Sequence, residues 1–321
     1  MGNRAHPPET HRELDLIGLG EVSLDRVLRV PRFPMRGEKG AVTAEHEEPG
    51  GQVATAVLGC ARLGLRTAFV GAVGDDREAD AALQPLRAAG VALRGIQQVP
   101  SGATRRAFIL VEDETGERTV LERRHPTTRL DVAALEPDAI AGSRGLLVDT
   151  TDIAASVAAS HIARSAGTLV FLDADDPSQT LDALLPLVDF AIVSQNFAEH
   201  LSGSGPIAAG LARLSAAGPA VAVATLGERG AIAVQGTRTV EARALRVEAV
   251  DTTGAGDAFR AGWIVATLAG DPLEGCLRVA NAVAAISCTR AGAQGGLPTP
   301  EELERFLADV NPQGRAPRGG P

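Results

Sequence analysis

Apolar positions along the chain follow two rhythms. Short, almost uninterrupted apolar runs occur at LDLIGLG (14–20), TAFVGAV (67–73), GLLVDT (145–150), TLVFLDA (168–174), FAIVSQ (190–195) and AVAVATLG (220–227). Runs of this length without polar alternation predict strands buried on both faces, as in a parallel sheet covered by helices. Between them, helical spacing predicts helices over Gln52–Leu63, Arg77–Ala89, Ile153–Ser165, Ile207–Ala217 and Ala255–Ala269. In the first of these, Val53, Val57, Leu58 and Ala61 share one face. Such alternation predicts an α/β fold, a doubly wound, mostly parallel sheet flanked by helices.

Two segments break the rhythm. Residues 22–50 run RVLRV, PRFPMRGEKG, AVTAEHEE, alternating and punctuated by proline rather than helical. Residues 103–124 (ATRRAFILVEDETGERTVLERR) read as a hairpin turning near Glu114, Thr115 and Gly116. Together they predict four short strands forming a small β-sheet lid over a cleft. One domain is expected over 13–310, with both lid segments inserted in it. Residues 1–12 and 311–321, rich in Pro, Gly and charge, are expected to be disordered tails.

Composition narrows the function class. Across 321 residues, 45% are hydrophobic and 22% charged, the balance of an ordinary globular protein. A net charge of −9 argues against a nucleic-acid surface, which needs a basic stripe. No apolar run approaches the roughly 20 residues of a membrane helix, and the polar start MGNRAHPPETHREL lacks a signal-peptide core. Cys60, Cys276 and Cys288 are scattered without CxxC spacing, the pattern of reduced thiols in a cytoplasmic protein.

The chemistry concentrates at turns that follow apolar runs. Gly18-Leu19-Gly20 lacks the third glycine and the following helix of a dinucleotide fingerprint, and no GxxxxGK[ST] phosphate loop occurs. The strongest signal is Asp251-Thr-Thr-Gly-Ala-Gly-Asp257 opening a predicted helix. Its glycines are expected to leave the N–H groups of Gly254, Ala255 and Gly256 free for an anionic oxygen at the helix start. Asp257 in the first turn is placed to accept a proton from an attacking hydroxyl, and phosphoryl transfer needs both features in one place. An aspartate that merely caps the helix is the structural alternative. Gly50-Gly51 opens another helix, Asn196-Phe-Ala-Glu199 follows a strand, and Thr225-Leu-Gly-Glu-Arg-Gly230 ends one. Ligands of open α/β sheets bind along that strand edge.

With these motifs in this order, the chain resembles the ribokinase-like (PfkB) carbohydrate kinase family from about Leu14 to Leu307. DTTGAGDAF, PGGQVATAVLGCARLG, NFAE, TLGERG and NAVAAISCTRAGAQGGLPT carry the resemblance. It implies an ATP- and Mg²⁺-dependent kinase acting on a hydroxyl of a small sugar or acid sugar. Asp257 would be the base, and Gly254, Ala255 and Gly256 the anion hole. Asn196 and Glu199 would organise Mg²⁺ through its waters. Thr225, Gly227 and Gly230 would contact ATP, with Asn281 beside the adenine. Asp25, Gly50, Gly51 and the Thr55 position would line the sugar site. A monovalent cation such as K⁺ would sit at Asp251, Thr253, Ser287, Arg290 and Gly292, held by backbone oxygens of the last three. In some relatives the lid also forms a homodimer contact.

Departures from the family pattern bear on specificity. Thr55 stands where the signature usually has Asn, Ser23 where ribokinases tend to have Asn, and Gln52 where they have Lys. Gly296 lacks a side-chain oxygen that some members give the cation. These changes argue against ribose. GERTVLERR resembles the lid of 2-keto-3-deoxygluconate kinases, and an Arg in the cleft would suit an acidic substrate. Arg105 and Arg106 are adjacent in a predicted strand, so at most one faces the cleft. A nucleoside kinase of the same fold is the alternative, with Phe33, Phe69 or Phe108 to stack on a base. A non-catalytic sugar-binding regulator is the other.

Overall fold

The computed structural model describes residues 12–310, so the expected tails lie outside it except for Arg12, which donates to Ala166 O and Thr168 Oγ1 on the domain body. Strand β1 (Leu14–Leu19) leads into β2 (Ser23–Val30) and β3 (Ala44–Gly50), followed by α1 (Gln52–Arg62), β4 (Thr67–Gly74), α2 (Arg77–Ala88) and β5 (Ala92–Val99). A hairpin of β6 (Arg106–Glu112) and β7 (Arg118–Arg123) comes next. Then come α3 (Pro137–Ala141), β8 (Ser143–Val148), α4 (Ile153–Ser165), β9 (Leu169–Ala174), β10 (Phe190–Ser194) and α5 (Gln195–Ser202). The chain continues through α6 (Ile207–Ala216), β11 (Val221–Thr225), β12 (Ala231–Gln235) and β13 (Arg238–Ala242). It closes with α7 (Ala255–Ala269), α8 (Leu273–Ser287) and α9 (Pro300–Val310).

Among the described residues, nine strands form the main sheet in the order β13-β12-β11-β10-β9-β8-β1-β4-β5. All its pairs are parallel except β11–β12 and β12–β13, which make an antiparallel edge. Alternate side chains enter opposite cores, as the pleat requires. Leu16 and Ile192 join the core under α1, α7 and α8, whereas Ile17, Leu19 and Val193 join the one under α4, α5 and α6. The mostly parallel sheet thus has both faces covered.

The two irregular segments form a separate sheet in the order β3-β2-β6-β7. It is mixed: β2–β3 and β6–β7 are antiparallel, while β2 and β6 run parallel. Its hairpin turns where expected, with Gly116 N donating to Glu112 O. Strand β7 is exposed along its whole length.

Close helix packing fixes the site. A Cβ on Gly59 of α1 would lie 2.7 Å from Ala261 Cβ of α7, and one on Gly262 would lie 2.8 Å from Ala280 Cα of α8. Glycine at these crossings brings three helices together without side-chain spacers. Trp263, fully buried, fills the volume beside them. The start of α7 is thereby anchored to two neighbours. Among the described residues no helix is long and apolar enough to cross a membrane.

Candidate active site

Helix α7 begins at Gly254, whose φ of +73° is left-handed. A Cβ there would also lie 2.7 Å from Ala293 O, so only glycine fits both the conformation and the space. The sequence expectation of three free amides at residues 254–256 needs one correction. Ala255 N donates to Thr252 O at 3.2 Å, closing the turn, whereas the amides of Gly254 and Gly256 make no backbone hydrogen bond among the described residues. Among the described residues the Asp257 amide makes no backbone hydrogen bond either. Three donors thus converge where the helix dipole is positive.

These donors adjoin a cavity of about 840 Å³, lined by Thr225, Gly227, Gly230, Asn281, Ala255 and Gly256 among others. It lies within the size range of ligand clefts. A side chain at Gly230 would strike Ala242 O at 2.1 Å, which keeps that wall thin. Asn281 is buried and its Nδ2 donates to the carbonyls of Ala242 and Arg243, bracing the wall that it lines.

Asp257 sits in the first turn of α7 with its side chain 15% exposed. Burial pushes its carboxyl up to about 7, against the pull of Arg260, with Asp175 and Glu21 adding to the rise. Arg260 escaped the sequence reading. It is buried, contacts Asp257 at 3.4 Å and Asp175 at 2.8 Å, and forms an ion pair with the fully buried Asp173. Gln52 donates to the other oxygen of Asp175, tying the head of α1 to the same network. The missed signal was an arginine inside the apolar run DAFRAGWIV, because a buried charge must find partners.

On the other side of the cleft, Gly50 and Gly51 join β3 to α1. A side chain at Gly50 would lie 2.4 Å from Asp25 Oδ2, and Gly51, at φ +96°, would meet Glu21 O at 2.5 Å. Asp25 is buried, its Oδ1 accepts from Ala107 N at 2.9 Å, and burial raises its carboxyl above the usual range. Thr55 points elsewhere: it is fully buried on α1 and accepts from Gln294 Nε2 at 3.3 Å. The two lid arginines diverge as the strand period requires. Arg106 pairs with Glu78 of α2, whereas Arg105 turns to the cleft and pairs with Glu21 at 2.8 Å and Glu122 at 2.7 Å.

Asn196 and Glu199 lie on the exposed face of α5, and Gln195 Nε2 donates to Glu199 Oε1 at 2.6 Å. The helix, rather than the strand end, presents them. Asp251, Thr253 and Gly292 are joined directly: the Asp251 carboxylate accepts from Thr253 N at 2.8 Å and Gly292 N at 2.9 Å. Burial alone would raise this carboxyl, but those amides hold it below the usual range. Ser287 is the last residue of α8 and Arg290 lies in the turn after it, where Arg290 pairs with Glu302 and Gly296 packs on Ser287 O. Among the described residues, no group of three or more His, Cys, Asp or Glu is placed to hold a metal ion.

Comparison with known proteins agrees with this architecture. The profile of the pfkB family carbohydrate kinases matches residues 14–300. The ribokinase of Haemophilus influenzae is 30% identical over 300 residues, covering 90% of this chain and 97% of that one. A nucleoside kinase of Methanothermobacter thermautotrophicus is 28% identical over 92% of this chain and 96% of its own length. The crystal structure of the Thermotoga maritima ribokinase superposes with a TM-score of 0.81 at 26% identity, over 92% of this chain and 99% of that one. The chain belongs to the pfkB family of carbohydrate kinases and is a phosphotransferase.

Proposed function

We propose that this protein transfers the γ-phosphate of ATP to a hydroxyl of a small sugar, with Asp257 as the base. The observation that carries the reading is the junction at the head of α7. Free amides and a carboxyl raised to about 7 stand side by side where Ala255 and Gly256 line the 840 Å³ cavity. The larger cavity is the site for ATP, with Thr225, Gly227 and Gly230 on its wall. Asp25, Gly50 and Gly51 face the acceptor from the other side.

In this reading Asp257 removes the proton from the acceptor hydroxyl as it attacks. The amides of Gly254 and Gly256 hold the charge that develops on the transferred group. The lid excludes water, a competing acceptor. The donor set fits Mg²⁺, because Glu199 and Asn196 offer hard oxygen atoms on an exposed face, and this ion is commonly held through one or two carboxylates and water. Bound with ATP, it would neutralise phosphate charge. The Asp251–Gly292 turn is the proposed monovalent cation site, with K⁺ as the candidate.

A nucleoside acceptor is the second reading, supported by the Methanothermobacter relative. Phe69 cannot serve it, since that ring is fully buried in the core. Coupled measurement of ADP release with ribose, fructose, 2-keto-3-deoxygluconate, fructose 6-phosphate, adenosine and inosine decides between them. Sugar-dependent release supports the first reading, nucleoside-dependent release replaces it, and binding without release removes both.

A further inference from the structure

A second, smaller cavity of about 120 Å³ opens under the lid and adjoins the proposed acceptor site. Its wall includes Glu21 and Val22, whose backbone a Cβ on Gly51 would meet at 2.5 and 2.6 Å. Arg105, also on the wall, pairs in the lid sheet with Ser23, and Ser23 pairs with Gly50. Glu21 is close enough to Asp257 to help raise its carboxyl. At about 30 Å³ per water the space holds roughly four waters, about the bulk of one carboxylate or phosphate group.

Four basic side chains line this space: Arg105, Arg124, His125 and Arg129. Arg129 Nε donates to Pro126 O at 3.1 Å, and His125 Nδ1 lies 2.9 Å from Thr127 Oγ1. Among the described residues the Arg129 Nη atoms and His125 Nε2 have no partner. Arg105 and Arg124 each give one N–H to Glu122, at 2.7 and 2.9 Å. Both also come within 2.8 Å of Glu21 Oε2. Even so, Arg105 Nε is buried and makes no hydrogen bond among the described residues. A buried guanidinium N–H in this state costs free energy that an entering oxygen would recover.

The nearby acids offset these charges only in part. Asp152 lines the cavity but turns its carboxylate to the amides of Leu130 and Ala155, at 2.9 and 3.4 Å. Burial raises Glu21 to about 7, so near neutral pH it carries a fraction of a charge. Asp149, buried behind the wall, accepts from the amides of Glu21 and Thr151, and burial raises its carboxyl too. Even with Glu21 fully ionised, the lining sets three guanidiniums against two carboxylates.

We propose that this cavity is an anion subsite, in which Arg105, Arg124 and Arg129 hold a carboxylate or phosphate borne by the acceptor away from the hydroxyl that Asp257 serves. The subsite rests on the kinase reading for its place in a reaction. It narrows the acceptor to acidic or already phosphorylated sugars. Arg105 Nε gains the acceptor it lacks, and Arg129 adds a fork that suits the same planar or tetrahedral oxygens.

The test sets fructose against 2-ketogluconate, which has a carboxylate in place of the C1 hydroxymethyl. It also sets fructose against fructose 6-phosphate, with its anion at the other end. Each is assayed by ADP release in wild type, Arg105→Gln and Arg129→Gln. Arg129 is exposed, so its variant folds even if that of Arg105 does not. Wild type is expected to favour at least one anionic sugar over fructose by about tenfold or more in kcat/KM, and which one tells carboxylate from phosphate. Each substitution should cut that ratio by about tenfold, the loss of one charge-assisted hydrogen bond. A wild type that favours neither anion, or a ratio unmoved in both variants, overturns the proposal. Calorimetric binding of the same three sugars separates this from the reaction. Tighter binding of an anion without ADP release upholds the subsite and removes the kinase reading. ADP release with fructose while neither anion binds more tightly keeps the kinase reading and removes the subsite, as does binding of none of the three.

Discussion

Arg260 stands one helical turn beyond Asp257 with its Nη1 3.4 Å from that carboxylate, and the same guanidinium serves Asp175 and Asp173. One cation therefore answers three carboxylates. Its own burial would favour losing the proton, but the three acids hold it firmly charged. Asp173, fully enclosed, is raised well above its usual range by burial despite Arg260. Burial, with too little positive charge to offset it, holds the Asp257 carboxyl at about 7, a range that suits the proton acceptor proposed for it.

Replacing Asp257 with Asn tests that balance twice. Turnover is expected to fall by about three orders of magnitude, within the range for loss of a general base. Because the folded carboxyl sits at about 7, above its unfolded value, the folded state holds this proton more tightly. The stability so gained is full below about pH 4 and is lost as pH rises through about 7. At pH 8 Asp257→Asn should resist urea better than wild type by roughly 2–4 kcal/mol, with the gap closing toward pH 4. Equal midpoints at both pH values would place the carboxyl in the ordinary range.

Arg260→Met strands Asp173 in the core without a counter-charge. Unfolding free energy should drop by about 3–5 kcal/mol, the usual cost of breaking a buried pair. Adding Asp173→Asn should recover much of it, and urea titration of the four proteins in a double-mutant cycle reads the coupling. Additive losses would mean that the two residues do not act as a pair.

Gly254→Ala places a methyl against Ala293 O in a left-handed conformation that alanine avoids. The turn must shift, and with it the free amides. We expect kcat to fall by about 10²-fold, the scale of losing one such donor, with a smaller change in the dissociation constant for ATP. A loss confined to ATP binding would assign the turn to holding nucleotide instead.

The lid touches the turn before α7 through Arg118 of β7, whose Nη1 is 3.4 Å from Thr252 Oγ1. Arg118→Ala should loosen closure, raising KM for the sugar and the release of ADP without any acceptor, as water gains entry. Both are read in one coupled assay. Unchanged values for both would show that this contact does not govern closure.

Much of the scaffold was legible because burial imposes period. The six continuous apolar runs all became strands of the main sheet, and the helices at 153–165 and 255–269 match the predicted bounds. Strand β5 was missed because Arg94, Gly95, Gln97 and Gln98 interrupt it. Helix α8 was missed for the opposite reason: in its second half Ala280, Ala282, Val283 and Ala285 are all buried, so the polar face that Glu274 and Arg278 begin is not continued. Motif spacing likewise brought Asp257, Gly254 and Gly256 to one turn. It could not reveal that Thr55 turns to Gln294, or that Arg260 reaches back to β9, since both depend on helix approach across a long sequence gap.

The lid joins two stretches of chain that α1, β4, α2 and β5 separate, so β2 pairs with β6 across all four of those elements. Its own interior is small, with Val27, Ala107 and Ile109 at the centre. Loop closure on that scale contributes little without a large core to reward it, so the small sheet is a cooperative unit of low stability riding on one of high stability. Amide exchange in β2, β3, β6 and β7 should therefore run ahead of global unfolding. The molecule can unravel its cover and rebuild it while the sheet beneath, and the head of α7, stay folded.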